Sequence, residues 1–399
     1  MKVYIVEAKR SAIGSFLGTL KDMDPGHLAG EVIKDLLKNI DKSVVDEVIV
    51  GNILSAGHAQ GIGRQASIYG GLPESTVAYS LNMLCGSGMK AVMTAVAEIK
   101  SGAKDVIVAG GVESMSTAPY LIPAKGRSGL GLGNASMVDS MVNDALIDAF
   151  GGYHMGITAE NIAEKFNISR ESQDEYAISS QQKAIRADDD GKFENEITPI
   201  LIKNRKGDIL FSKDEYINRK TSLEKLSSLR AAFKKEGTVT AGNASGINDG
   251  ASFTLIVSQK ALEELNLTPL AEIVDYTQVG IDPNVMGLSP AYAIKNLLEK
   301  NNKTFDDIDL LEINEAFAAQ SLGVFEMLKE TSNLSEKDIK EKINVNGSGI
   351  ALGHPVGASG NRIIVSLVHE MKKRKSEYGI ASLCIGGGLG TAVLLKRVN

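Results

Sequence analysis

Two cysteines and one histidine carry most of the chemistry this sequence could perform. Cys85 stands in Leu81-Asn82-Met83-Leu84-Cys85-Gly86-Ser87-Gly88-Met89. There a strand-like run, Val77 to Leu81, gives way to a helical pattern with Met89, Val92, Met93, Val96 and Ile99 on one face. A helix start offers free N–H groups and a partial positive charge. That setting favours the thiolate, which is the nucleophile. The plainer reading is a small buried hydrophobe, as most free cysteines are. His354 lies in a glycine-rich loop, Gly349 to Gly360, ahead of a helical run. Histidine is a ready general base near neutral pH, and a Cys–His pair can share a proton to make a nucleophile. Cys384 ends an apolar strand and meets the turn Gly386-Gly387-Gly388. Packing, a disulfide with Cys85, and function are all open to it. N–H groups in that turn could hold a developing oxyanion.

Other groups give weaker signals. Asn314, in Asn314-Glu315-Ala316-Phe317, follows a strand and could serve only as a helix cap. The loop Ala241 to Gly250 is rich in glycine but lacks the lysine of a P-loop. Tyr153-His154-Met155-Gly156 would ordinarily be dismissed. His27, His58 and His369 read as solvated or structural groups.

The elements that must position these residues are strands alternating with helices. Strands are expected at Val3 to Glu7, Val45 to Val50, Val77 to Leu81 and Asp105 to Gly110, with a helix over Gly26 to Ile40. From about Ala118 the texture changes. Residues 124–134 are glycine-rich, helices are expected at Ser136 to Phe150, Thr158 to Phe166 and Ser169 to Asp188, and residues 191–236 are polar and lysine-rich. Strands resume at Ala251 to Ser258, Leu270 to Gly280, Ile308 to Ile313, Ile343 to Asn346, Ile380 to Leu383 and Thr391 to Leu395. Helices fall at Ser289 to Asn301, from Asn314 through Leu328, and at Asn361 to Lys373. The two ends share a plan: strand, Asn82…Gly86-Ser87-Gly88, helix, strand, Gly110-Gly111, against strand, Asn346-Gly347-Ser348-Gly349, helix, strand, Gly386-Gly387-Gly388. One duplication explains both and predicts two α/β halves with a site between them.

Composition narrows the classes. The chain has 399 residues, 43% hydrophobic and 23% charged, which suits a globular protein of two or three domains. A net charge of -6 argues against nucleic acid as the main partner. With two cysteines and no CxxC spacing, neither a cysteine-based zinc site nor a disulfide framework is expected. No apolar run is long enough to span a bilayer, and the N-terminal residues enter a strand directly, so no membrane partner and a cytoplasmic location are expected.

Together the motifs resemble the thiolase family. The resemblance is carried by Asn82 to Gly88, Gly110-Gly111-Val112-Glu113-Ser114-Met115-Ser116, the Gly242 to Gly250 loop, Asn314 to Phe317, Gly349 to Gly360 and Cys384 to Gly388, and it covers nearly the whole chain. It implies βαβαβαββ units used twice, in five α-β-α-β-α layers, with a loop domain inserted in the first. The expected domains are 1–117 with 249–269, an insert over 118–248 that binds coenzyme A and joins subunits, and 270–399. The implied reaction is Claisen condensation of two acetyl-CoA to acetoacetyl-CoA and CoA, and its reversal by thiolysis. Cys85 would carry the acetyl group, with His354 accepting its proton, and Cys384 would deprotonate the second acetyl-CoA. N–H groups of Cys85 and Gly386 would form one oxyanion site; His354 and a water on Asn314 would form the other. The coenzyme A thioester is substrate, with no metal or prosthetic group. Its implied contacts are Ser245, His154, Met155, Arg219, Phe233, Ala241, Met286, Ala316 and Phe317. The Tyr153-His154-Met155-Gly156 stretch is similar to the short-chain biosynthetic group, where Met fills space a long acyl chain would need. Relatives often have Arg at the position of Asn218, so Arg219 takes that assignment. Family members assemble as dimers or tetramers, and residues 124–134 resemble a tetramer-forming loop. A degradative 3-ketoacyl-CoA thiolase and a noncatalytic acyl-CoA-binding scaffold are the competing readings.

Overall fold

The computed structural model describes residues 1–205, 207–332 and 334–398. In the N-terminal half, strands β1 (Val3–Ser11), β2 (Glu47–Gly51), β3 (Val77–Leu81), β4 (Val106–Ser114) and β5 (Asn248–Ser258) run in the order β3-β2-β4-β5-β1. In the C-terminal half, β6 (Ala271–Gly280), β7 (Leu310–Ile313), β8 (Tyr378–Ile385) and β9 (Leu389–Arg397) run β6-β9-β8-β7. The two orders mirror each other across β1 and β6, which pair through Tyr4 with Glu272 and Ile5 with Ala271. Parallel pairing of β2 with β3 has its counterpart in a single parallel bridge, Leu311 to Ile343. The duplication read from the glycine motifs is therefore a symmetry of strand order.

Helices cover these sheets in five α-β-α-β-α layers. Outside the first sheet, α1 (Pro25–Leu36) and α2 (Ile62–Tyr69) bury Leu28, Val32, Ile33 and Ala66 against Val48, Val108 and Phe253. Between the sheets lie α3 (Ser87–Ser101) and α4 (Val356–Arg374), whose Met89, Val92, Val96, Ile363, Ile364 and Leu367 pack between Ile49, Ile107 and Ile256 on one side and Leu383, Ile385 and Val393 on the other. On the far side α5 (Ser289–Lys300) and α6 (Ala318–Lys329) bury Ile294, Leu297, Phe325 and Leu328 against Ile313, Ile380 and Leu394. Each such side chain contributes about 1.5–3 kcal/mol by burial. The central helices are apolar on two faces because each meets two sheets, and their first turns meet the site.

Residues 118–247 lie between β4 and β5, and among the described residues they join the main sheet only where Ile197–Thr198 pairs with β1. Within them, helices Met155–Phe166 and Arg170–Asp189 match expectation, but Ser136 to Phe150 is not a helix. Val138–Asp139 pairs with Tyr120–Leu121 as a small ribbon, then Val142–Leu146 makes one π-turn. The cause is local. Asp139 accepts from the N–H groups of Met141 and Val142, and Asp148 from those of Phe150 and Gly151, so carboxylates compete with the helical ladder. Two further expectations shift. Asn314 does not start a helix: α6 begins at Ala318, because Ala316 O and the Ala318 N–H bond to Ser245 and Asn243 and hold that segment extended. Residues 343–346 form no strand beyond the single bridge, since the chain turns at Asn344 (φ 48°) and Gly347 (φ 74°).

Candidate active site

Cys85 sits in the short connection between β3 and α3. Ser87 Oγ accepts from the Met83 N–H and donates to Leu84 O, and Asn82 Oδ1 accepts from the Leu84 N–H. Leu84 itself has φ 49°, so the tight turn thrusts the next residue out of the sheet. A side chain at Gly86 would come within 2.3 Å of Ile385. That contact brings the end of β8, and Cys384 on it, against the Cys85 connection. The turn after β8 needs glycine at Gly387 (φ 77°) and Gly388 (φ 83°).

Cys85, His354, Cys384 and Gly386 line one cavity of about 500 Å³. N–H groups of Gly386 and of Cys85 itself reach the Cys85 sulfur. The expectation that the helix start lowers this thiol is not met. Burial pushes it up to about 11, the two N–H groups oppose that, and the buried Glu113 charge adds to it. The reason is enclosure: α3 begins only at Ser87, and the lost hydration outweighs two amides. Cys384 is raised further, by burial first and by the neighbouring Cys85 sulfur second.

His354 follows Gly353, whose φ of 101° seats it against Asn248 of the other half. Asn248 Oδ1 accepts the His354 N–H at 2.9 Å. His354 Nδ1 lies 2.5 Å from Ser359 Oγ, and the Ser359 hydroxyl donates to Pro355 O at 2.9 Å. With its one proton so committed, Ser359 must accept from Nδ1–H, which leaves the Nε2 lone pair as the basic group. Burial, then the Arg362 charge, push this imidazole down to about 3, so it is neutral. The loop is fastened from below by Glu113, whose two carboxylate oxygens accept from the Ile53, Leu54 and Gly357 N–H groups and from Asn52 Nδ2.

The remaining expected residues divide clearly. His154, Met155, Phe233, Ala241, Ser245, Met286, Ala316 and Phe317 all line the cavity. His154 stacks on Phe233 with centroids 4.5 Å apart, Phe317 meets Phe233 edge-on, and Met155 packs in one cluster with Cys384. Glu160 holds the Phe233 segment by accepting from the Thr238 and Val239 N–H groups. Asn314 does not line the cavity. It is fully buried behind it, its Oδ1 accepting from Arg362 and its Nδ2 without a partner among the described residues. Arg219 does not line it either: its guanidinium pairs with Asp188 and Asp189 on the outside. A cation that does line a cavity nearby is the exposed Lys225, on a second cavity of about 520 Å³ that shares Tyr216, Ala241 and Ala244 with the first. Among the described residues its ammonium bonds only Lys220 O.

Sequence reasoning missed several wall residues. Leu84, Met115, Gly246 and Ile247 lie within motifs already singled out, so adjacency to Cys85 or to the glycine loop was a usable signal. Phe16, Ala145 and Leu146 carried none, the last two because their segment read as a helix. Among the described residues no three His, Cys, Asp or Glu side chains converge as a metal site requires. No described helix is long and apolar enough to cross a membrane.

Comparison with known proteins agrees with this geometry. Residues 3–260 match the family model for the thiolase N-terminal domain and residues 267–397 that for the thiolase C-terminal domain. The chain is 50% identical to an acetyl-CoA acetyltransferase of Chromobacterium violaceum, over all of both proteins. Its fold superposes on the acetyl-CoA acetyltransferase of Bacillus anthracis with a TM-score of 0.95 and 44% identity, covering 100% of this chain and 99% of that one. Human mitochondrial 3-ketoacyl-CoA thiolase gives 0.94 and 42%, with the same coverage. On its motifs, its mirrored five-layer fold and these matches, the chain belongs to the thiolase family.

Proposed function

We propose that this chain is an acyltransferase that condenses two molecules of acetyl-CoA into acetoacetyl-CoA and CoA, and runs the reverse thiolysis, through an acetyl group carried on Cys85. What supports this reading above all is the convergence of Cys85, His354 and Cys384, from three distant parts of the chain, on one largely apolar cavity. Condensation requires a nucleophile and a separate carbon base, and two thiols beside one neutral imidazole supply both.

Both thiols start protonated, so charge has to appear in step with bond making. Cys85 attacks the thioester carbon as His354 Nε2 takes its proton. The oxygen that becomes negative is held by the Cys85 and Gly386 N–H groups, and CoA leaves with the proton returned by His354. Cys384 then gives its own thiol proton to His354 Nε2, free again once CoA has left, and the resulting thiolate takes a proton from the methyl carbon of the second acetyl-CoA. With Cys85 acetylated, no thiolate can form there to raise Cys384, so Cys384 ionises more easily than in the free enzyme. The carbanion attacks acetyl-Cys85, the acyl–sulfur bond breaks, the Cys85 sulfur takes the proton back from His354, and acetoacetyl-CoA departs. The enolate oxygen of this step is assigned to His354 and to Asn314 acting through a water.

The thioester arm is assigned to the walls made by Ser245, Ala241, His154, Met155, Phe233, Met286, Ala316 and Phe317. Its phosphate-bearing end is assigned to the second cavity, with Lys225 and not Arg219 as the cation on its wall. Of the expected domains, the insert 118–248 carries most of these walls and is proposed as the coenzyme-binding unit between 1–117 with 249–269 and 270–399. Ile122, Leu130 and Leu132 are exposed apolar groups in and beside the 124–134 segment, which supports assembly of copies, a tetramer in preference to a dimer. A cytoplasmic location, with neither nucleic acid nor membrane as partner, completes the proposal.

Mass spectrometry after mixing with acetyl-CoA tests the first half-reaction: an acetyl adduct on Cys85 is expected in wild type, and accumulates in Cys384→Ser. An unmodified Cys85 would favour a binding scaffold. A second reading, thiolysis of longer 3-ketoacyl-CoA, is favoured by the human 3-ketoacyl-CoA thiolase match and by the apolar lobe at Leu84, Met115 and Leu146. The relative rates on acetoacetyl-CoA and a ten-carbon ketoacyl-CoA separate the two readings.

A further inference from the structure

We infer that Arg362 is a positioning residue for the enolate-holding site: its guanidinium decides which end of the Asn314 amide is free to donate, and ties that amide to the helix that orients His354. The inference rests on the proposed reaction above and adds a residue to it.

Arg362 is fully buried on α4. Nη1 donates to Glu312 Oε1 at 2.9 Å, and Nη2 donates to Ser348 Oγ at 2.9 Å and to Asn314 Oδ1 at 3.3 Å. Ser348 Oγ in turn donates to Glu312 Oε1 at 3.0 Å. Glu312 and Asn314 are two residues apart along one extended run, so they face the same side. Arginine has donors only. The Asn314 atom facing it must therefore be the oxygen, and the amide cannot turn over without setting NH₂ against N–H. Nδ2 is the end left over: it is buried and has no partner among the described residues. The same helix carries Ser359, which fixes the imidazole tautomer of His354. One rigid element thus sets both donors assigned to the enolate oxygen. A plain structural ion pair between Arg362 and Glu312 would need neither Asn314 nor this orientation.

Two half-reactions separate these roles. Acetylation of Cys85 uses His354 and the Cys85 and Gly386 amides but not Asn314; deuterium uptake into the methyl group of acetyl-CoA uses Cys384 with His354 and Asn314. Arg362→Lys keeps the charge but cannot span Glu312 and Asn314 together. The double variant Glu312→Gln/Arg362→Met removes both partners, so that no buried charge is left alone. In both, deuterium uptake and condensation are expected to fall about a hundredfold, the order of one lost oxyanion donor, while Cys85 acetylation stays within a few-fold of wild type. Adding Asn314→Ala to Arg362→Lys is expected to bring little further loss, as groups acting through one contact are not additive. Parallel loss of both half-reactions in both variants, unchanged deuterium uptake, or simple additivity with Asn314→Ala would overturn the inference. Failure of wild type to acetylate Cys85 would instead overturn the proposed reaction.

Discussion

Ser359 holds the imidazole of His354 by accepting, not donating: its Oγ lies 2.5 Å from Nδ1, and its own proton goes to Pro355 O. The tautomer of His354 is set by this bond one helical turn beyond the loop.

Replacing Ser359 with alanine therefore frees the ring to hold its proton on either nitrogen. Turnover in Ser359→Ala is expected to fall about ten- to a hundredfold, below the roughly 10²–10⁴ of a whole general base, because the base stays and only its orientation is lost. Ser359→Thr keeps the hydroxyl and should restore most of it. Steady-state rates on acetoacetyl-CoA and CoA check this, and equal activity in all three proteins would dissociate Ser359 from His354.

The pH dependence of Cys85 follows from its enclosure. Its pKa is raised to about 11, so the thiolate fraction near pH 7 is smaller than for a free thiol, and grows as pH rises. With His354 lowered to about 3, no thiolate–imidazolium pair is present before substrate enters. Iodoacetamide labelling of the free enzyme is expected to keep accelerating through pH 9. A plateau reached below pH 8 would contradict this.

Lys225 and Arg219 make opposite predictions for the coenzyme. Lys225→Ala should raise KM for acetyl-CoA several-fold, yet leave KM unchanged for a truncated thioester that lacks the phosphates. Arg219 is already paired with two carboxylates. Its replacement by alanine should move neither constant, and a larger effect there than at position 225 would return the role to Arg219.

Glu113 is the fastening between halves. In Glu113→Gln the new NH₂ faces two of the four N–H donors the carboxylate now accepts. Leaving them unsatisfied should cost about 2–6 kcal/mol of stability, at 1–3 kcal/mol for each group. Urea unfolding measures it. A change below about 0.5 kcal/mol, the usual scale of a surface substitution, would show the carboxylate to be dispensable.

Much of this was legible before any coordinates. Alternation of strands with helices, and glycine motifs at corresponding places in the two halves, are properties of local chain geometry, and they located β3–α3 and the turn after β8 closely. The Cys85, His354 and Cys384 motifs stood out because glycine beside a reactive side chain is rare without cause. What escaped depended on distant contacts. The Ser136 to Phe150 segment has apolar spacing suited to a helix, but Asp139 and Asp148 take the amides that a helix would use. Asn314 looked like a cap because strand meets helix there; its buried place beside Arg362 depends on a helix almost fifty residues away. The raised thiol of Cys85 could not be read from a helix start, since enclosure is made by the whole cavity wall. Arg219 and Lys225 differ only in which carboxylates the folded chain sets beside them.

The mirrored strand order places Cys85 in one repeat and Cys384 with the His354 imidazole in the other. Neither repeat alone holds a complete set of reacting groups, so the two must stay docked through both half-reactions.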